Sequence, residues 1–304
     1  MRRSQKIFFT TLLAVLMTAE AAFAKKAAEK PQQVELTSEG GLEWDANKKT
    51  LTAEKKALVV RGDTAMGAEK ITAYYKDGEN GADGEVYLVR AFGNIVITTP
   101  KQSVWADSAV YEIDKSVIIL KGNPVKLVAG REQMTAKVLE LWQNEDMAVA
   151  RRNVMAQKDA RRLEADVVKA YFVKRDGKSQ VERFEAQDNV VITNDKERVQ
   201  GDSGVYLVDR EMATLQGNVK ISQGKNFIVG EVADINMKTG VSRLQMQPEK
   251  GKSKKQVRGV FVPDGKQKPV KAEKRRAPDA LKDDNGDGRK ENKEIPDPAD
   301  AGEH

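Results

Sequence analysis

The sequence predicts an all-β protein built from about six repeats of roughly 30 residues, followed by a charged tail. Three observations carry this. A turn-then-strand phrase recurs along the chain, apolar residues inside each copy alternate with period two, and the residues between them are mostly charged or polar. Period two with polar intervals marks strands that put one face against an apolar interior and the other in water, as in a half-buried antiparallel sheet.

The phrase is clearest at Ala91-Phe92-Gly93-Asn94-Ile95-Val96-Ile97. With Asn94 as anchor it returns at Asn123, Asn153, Asn189 and Asn218, in steps of 29, 30, 36 and 29 residues. A degenerate first copy centres on Lys56, and a partial seventh begins at Val241. The long steps into Asn94 and Asn189 each contain a glycine-bearing insertion, residues 77–81 and 174–178, which reads as an extended hairpin loop. Each unit supplies about two strands bent near Gly-Asn, a pair that tolerates positive φ.

Apolar residues stand at fixed offsets from each anchor. Three and five before it are Leu51 and Ala53, Val89 and Ala91, Ile118 and Leu120, Ala148 and Ala150, Phe184 and Ala186, Ala213 and Leu215. One and three after it are Ala57 and Val59, Ile95 and Ile97, Val154 and Ala156, Val190 and Ile192, Val219 and Ile221. The Asn123 unit is displaced to Val125 and Leu127, as an extra bulge residue at Pro124 would cause. A third set lies 15 to 19 residues on, including Ile71, Ala73 and Tyr75, then Ala109, Tyr111 and Ile113, and later Gly204, Tyr206 and Val208. Many of these residues are small, which suits a narrow interior.

The chain opens with Arg2, Arg3 and Lys6, an apolar run over residues 7–17, and Ala22-Phe23-Ala24. That run is too short to span a bilayer, so residues 1–24 read as a signal peptide cleaved after Ala24, with 25–33 a linker and 34–248 the repeat domain. Cysteine is absent, so the exported chain relies on burial for stability. Residues 249–304 form the tail. Positions 250–276 hold 11 Lys and Arg against 2 acids, and 277–304 hold 4 against 9, which leaves the repeats near neutrality. This Pro, Gly and charge content predicts disorder. Export makes anionic lipid or an acidic partner a better ligand for the basic stretch than nucleic acid, but the first expectation for such a charge run is a solvated tail with no specific ligand.

Catalysis has little support. The single histidine is His304, and without cysteine the usual general base, thiolate nucleophile and zinc ligands are missing. An acid recurs at Ala68-Glu69, Ala106-Asp107, Ala165-Asp166, Gly201-Asp202 and Gly230-Glu231, with Ala136-Lys137 as the exception. A group present once per repeat is architectural, and its place predicts a role in starting a strand. Asp283, Asn285, Asp287, Gly288 and Glu294 match the spacing of a calcium loop. Lys290 and the flanking Pro278, Pro296 and Pro298 deny that loop its helices, so no metal and no cofactor are expected.

Repeats of the form A-x-G-N-V-x-I, then about ten residues, then A-D-x-A-x-Y, in an exported chain without cysteine, resemble the LptA/OstA family of periplasmic LPS-transport proteins. Ala91-Phe92-Gly93-Asn94-Ile95-Val96-Ile97 with Ala106-Asp107-Ser108-Ala109-Val110-Tyr111, and Leu215-Gln216-Gly217-Asn218-Val219-Lys220-Ile221, carry the likeness best. It covers roughly residues 34 to 247. The resemblance implies a twisted, partly open β-jellyroll that shields lipid A acyl chains, with ends that pair edge to edge with inner- and outer-membrane transport proteins or with a second copy, head to tail. The inward residues that would line such a groove are Ile71, Tyr75, Ile95, Ile97, Tyr111, Ile118, Leu120, Val125, Leu127, Val190, Ile192, Tyr206, Val219 and Ile221. The competing expectation is an exported structural or adhesive β-repeat protein without a lipid ligand. A membrane-anchored or barrel-fused sister of the same pathway is disfavoured by the Ala22-Phe23-Ala24 site and by the end of the sequence at His304.

Overall fold

The computed structural model describes residues 34–77, 85–175, 178–195, 197–236, 238–239, 241–246 and 256–262, with Lys178 by its backbone alone. The signal segment, the linker, most of the tail and the calcium-loop match at Asp283 to Glu294 lie outside the described residues. The strands are β1 (Val34–Thr37), β2 (Leu42–Asp45), β3 (Thr50–Arg61), β4 (Thr64–Lys76), β5 (Glu85–Thr98), β6 (Ser103–Glu112), β7 (Val117–Ala129) and β8 (Glu132–Trp142). They continue with β9 (Met147–Lys158), β10 (Arg161–Arg175), β11 (Lys178–Thr193), β12 (Arg198–Leu207), β13 (Met212–Gln223), β14 (Asn226–Asn236), β15 (Val241–Gln245) and β16 (Arg258–Val260).

All 16 belong to one antiparallel sheet in which β3 to β15 follow each other in sequence order. Each repeat is a hairpin of one odd and one even strand. Two short strands close each end of the sheet: β1 and β2 both pair with β3, and β15 and β16 both pair with β14. The partial seventh repeat at Val241 is therefore β15. Strand β16 corrects one expectation: Arg258–Val260 lies in the basic tail by composition, yet it joins the sheet opposite Phe227 to Val229.

The corner in each odd strand has a common cause. Lys55 and Lys56, Gly93 and Asn94, Arg152 and Asn153, Asp188 and Asn189, and Gly217 and Asn218 are consecutive residues with positive φ. In every case these two residues face a single residue of the following even strand, so the ladder skips and the strand bends. In β7 three residues, Gly122 to Pro124, face Lys137 alone, with a cis Asn123–Pro124 bond. This extra residue accounts for the one-place displacement of Val125 and Leu127. Arg152-Asn153 and Asp188-Asn189 lack glycine but adopt the same geometry, because the sheet on either side imposes it.

The residue facing each bulge, Lys137 excepted, is the recurrent acid. It lies mid-strand, which corrects the strand-starting role. Its carboxylate accepts from the corner of the next repeat: Asn94 Nδ2 donates to Glu69, Asn189 Nδ2 to Asp166 at 2.7 Å, Asn218 Nδ2 to Asp202 at 2.8 Å, and the Asn123 backbone N–H to Asp107 at 3.0 Å. A Cβ on Gly93 or Gly217 would fall within 3 Å of the acid's side chain, so glycine at those corners admits it. The motif pair A-D and G-N is thus one clamp joining successive hairpins.

Each corner divides the sheet into two arms. The leading arm holds residues before the corner in odd strands and after the acid in even strands; the trailing arm holds the remainder. Their apolar faces form one large buried cluster from Ala53 to Ala213, and Ile192 and Ile235 link it to a smaller cluster of Val199, Leu215, Val219 and Ala233.

Candidate functional site

The candidate site is the interior between the arms. Residues nearest the corners are the most deeply buried: Ala53, Ile95, Val125, Val154, Val190 and Val219 are almost wholly enclosed. Exposure rises towards the leading-arm tips of β3 to β8, where Leu51, Val89, Ile118 and Leu141 are half-buried. Of the residues expected to line a groove, Ile71, Ile95, Leu120, Val125, Leu127, Val190, Tyr206 and Val219 are buried. Ile97, Ile118 and Ile192 are half-buried against the large cluster, and Ile221 against the small one. Tyr75 and Tyr111 stand apart, half-buried at the leading-arm tips. Tyr75 Oη accepts from Trp44 Nε1 at 2.7 Å, with the two rings edge to face at 5.6 Å. The Tyr111 phenol is pushed up from its usual pKa by burial, and the positive charge of Arg61 pulls the other way.

A further row was not read from the sequence. Met66, Val104, Met134, Leu163, Val199 and Ile228 start the even strands and pair with Val59, Ile97, Leu127, Ala156, Ile192 and Ile221 on the trailing arm. Each lies ten or eleven residues after its anchor, a spacing as regular as the others. Strands β1, β2 and β16 were missed as well. Register places Leu42 with Ala53, Trp44 with Leu51, and Val34 with Arg61, so these side chains extend the interior face past β3. Trp44 is 71% exposed, and Leu42 and Val34 more than half. At the other end Val241, Val257, Phe261 and Val262 are exposed, Phe261 by 74%. Apolar surface of this kind at a sheet edge marks an interaction site.

Open volume in the interior between β10 and β13 is small. An apolar cavity lined by Val168, Phe184, Val190, Tyr206 and Leu215 measures about 20 Å³, room for a water and no more. A groove of about 600 Å³ lies at the polar side of the corners between β11 and β16, among Asn189, Asp202, Asn218, Lys220, Glu231 and Arg258. Its mixed charge distinguishes it from the apolar interior.

Residues 35–141 and 133–241 each match the family described as LptA/(LptD N-terminal domain) LPS transport protein. The chain belongs to this family. The two matches together take in the whole run of repeats, and the family is one of transport proteins rather than enzymes. An uncharacterised protein of Rhizobium meliloti (strain 1021), R00383, is 25% identical over 129 residues, 39% of this chain and 69% of that protein. Among solved structures, LptH of Pseudomonas aeruginosa, described as the LptA-homologous periplasmic component of the LPS transport device, aligns over 76% of this chain and 96% of its own. Identity there is 10% and the TM-score 0.20.

Proposed function

We propose that this family member carries LPS through the periplasm, holding lipid A acyl chains between the two arms and bridging inner- and outer-membrane transport components. One observation carries the reading: the apolar interior runs unbroken from β3 to β14 and its face stays exposed at the ends, with Trp44, Leu42 and Val34 open on the β1–β2 side. Each methylene taken from water gains about 0.8 kcal/mol, so such an interior binds acyl chains without any catalytic group. Where the interior is this closed, loading requires the arms to part, most readily at the leading-arm tips of β3 to β8, which keep partial exposure.

The end strands suit partners that add as strands. β1 and β2 carry Glu35, Glu43 and Asp45 and no base, whereas β15 and β16 carry Arg243 and Arg258 and no acid. This complementarity favours head-to-tail contact between copies or with related sheets of the transport path. Residues 1–24 would direct export, leaving the sheet from β1 to β16, residues 34–260, as the working domain.

Photo-crosslinking from Ile97 and Leu120 to LPS, with outward Phe92 as control, tests the reading. Crosslinks at the inward pair and little at Phe92 are expected, and Ile97→Asp should abolish loading. Folded protein that crosslinks at none of the three, or equally at all, would leave a structural β-repeat protein as the better account.

A further inference from the structure

The trailing-arm tips carry a polar row on the interior face. It lies two residues beyond the apolar pairs, and the hairpin ends place Arg61 beside Thr64, Thr99 beside Gln102, Ala129 beside Glu132, and Lys158 beside both Glu132 and Arg161. Neighbouring strands are about 4.8 Å apart, so the row is a continuous line across the rim. Thr64, Gln102 and Glu132 are the buried polar residues among the described ones. Arg61 Nε, Gln102 Oε1 and Glu132 Oε2 are buried without a hydrogen-bond partner; among the described residues a fourth such atom, Ser179 Oγ, lies at the leading-arm tip of β11. The other Glu132 oxygen takes Lys158 Nζ at 2.6 Å.

Buried polar atoms in folded proteins are nearly always paired, so three orphans in one line call for a partner. Their chemistry limits what it is. Gln102 Oε1 and Glu132 Oε2 need donors, and a carboxylate repels a bare anion; Arg61 Nε needs an acceptor and favours a negative one. Hydroxyls beside an acidic substituent meet all three demands. We propose that this rim row is a headgroup site for the saccharide of a glycolipid whose acyl chains enter the interior beneath it. The site rests on the acyl-chain reading above and adds selectivity to it: the apolar interior accepts any chain, and the rim selects chains that end in a sugar.

Gln102→Leu is the test, because it removes an orphan acceptor at nearly constant volume and leaves the fold intact. Binding of lipid A and of palmitate to the full mature chain would be measured by fluorescent-probe displacement, together with the thermal midpoint. The expected result is lipid A binding weakened by about tenfold or more, palmitate binding unchanged, and a midpoint equal to or above that of the parent. Arg61→Gln should weaken lipid A alone in the same way. Unchanged lipid A affinity in both variants would mean that water satisfies the row, and equal loss for both ligands would mean a packing defect; either overturns the headgroup site while the acyl-chain reading stands. A parent chain that binds neither ligand would overturn both.

Discussion

The two stretches that match the same family description are built from the same kind of repeat and close differently. In the first, the leading-arm tips remain half-open: Leu51, Tyr75, Val89, Tyr111, Ile118 and Leu141 all keep partial exposure. In the second, the equivalent positions Ala148, Ala170, Phe172, Phe184, Tyr206 and Ala213 are buried. Side-chain size explains the difference. Alanines at 148, 170 and 213 let the arms approach, and Phe184 and Tyr206, stacked at 14° with centroids 6.5 Å apart, fill what remains. The first stretch has branched side chains and tyrosines instead, and the Trp44–Tyr75 and Tyr111–Gln143 hydrogen bonds hold those phenols at the rim. The same periodicity therefore yields a closed half and a looser one, and on the proposed reading the looser half is where an acyl chain displaces least.

The comparison breaks most readily at one shared position, five residues before the corner. Phe184→Ala should destabilise by about 3–5 kcal/mol, since a buried aromatic is lost from a packed pair. Ile118→Ala, half-exposed at the same place in the first stretch, should cost about 1–2 kcal/mol. Denaturant unfolding of both variants decides; similar losses would mean that the two halves are equally closed in solution.

Much of this was legible in the sequence, and the gaps have physical causes. Alternation around each anchor identified Ile95, Leu120, Val125, Val190 and Val219 as inward, because a half-buried strand imposes that pattern. It passed over Met66, Val104, Met134, Leu163, Val199 and Ile228, because the hairpin turn after each trailing arm resets the phase and hides the continuation. The acids were recognised as architectural but misplaced, since their partner is the next repeat's corner, some 16 to 25 residues away. Strand β16 sits among lysines whose composition reads as disorder, and only the edge of β14 gives it a reason to be extended.

The corner clamps offer a milder way to sharpen the comparison. Asp202→Ala removes the acceptor for Asn218 Nδ2 and should cost about 1 kcal/mol, the worth of one solvent-exposed hydrogen bond. Asn218 keeps its positive φ without help, so the loss should appear as faster amide exchange around residues 216–220 rather than as a new register. Exchange unchanged at that corner would make the clamp incidental.

The smallest effect concerns the junction between the halves. There the acid position is Lys137, opposite the β7 bulge and next to the Arg152-Asn153 corner, so an amine stands where other junctions place a carboxylate. Lys137→Asp should supply the missing acceptor for Asn153 and remove a repulsion with Arg152, stabilising by roughly 0.5 kcal/mol in view of its exposure. A two-residue corner that already holds left-handed geometry requires no rearrangement to use the new carboxylate. The gain should shrink in high salt, where the charge contribution is screened and only the hydrogen bond remains. A loss of stability instead would mean that the amine serves this junction, and that the two halves are kept distinct at the corner as well as at the arm tips.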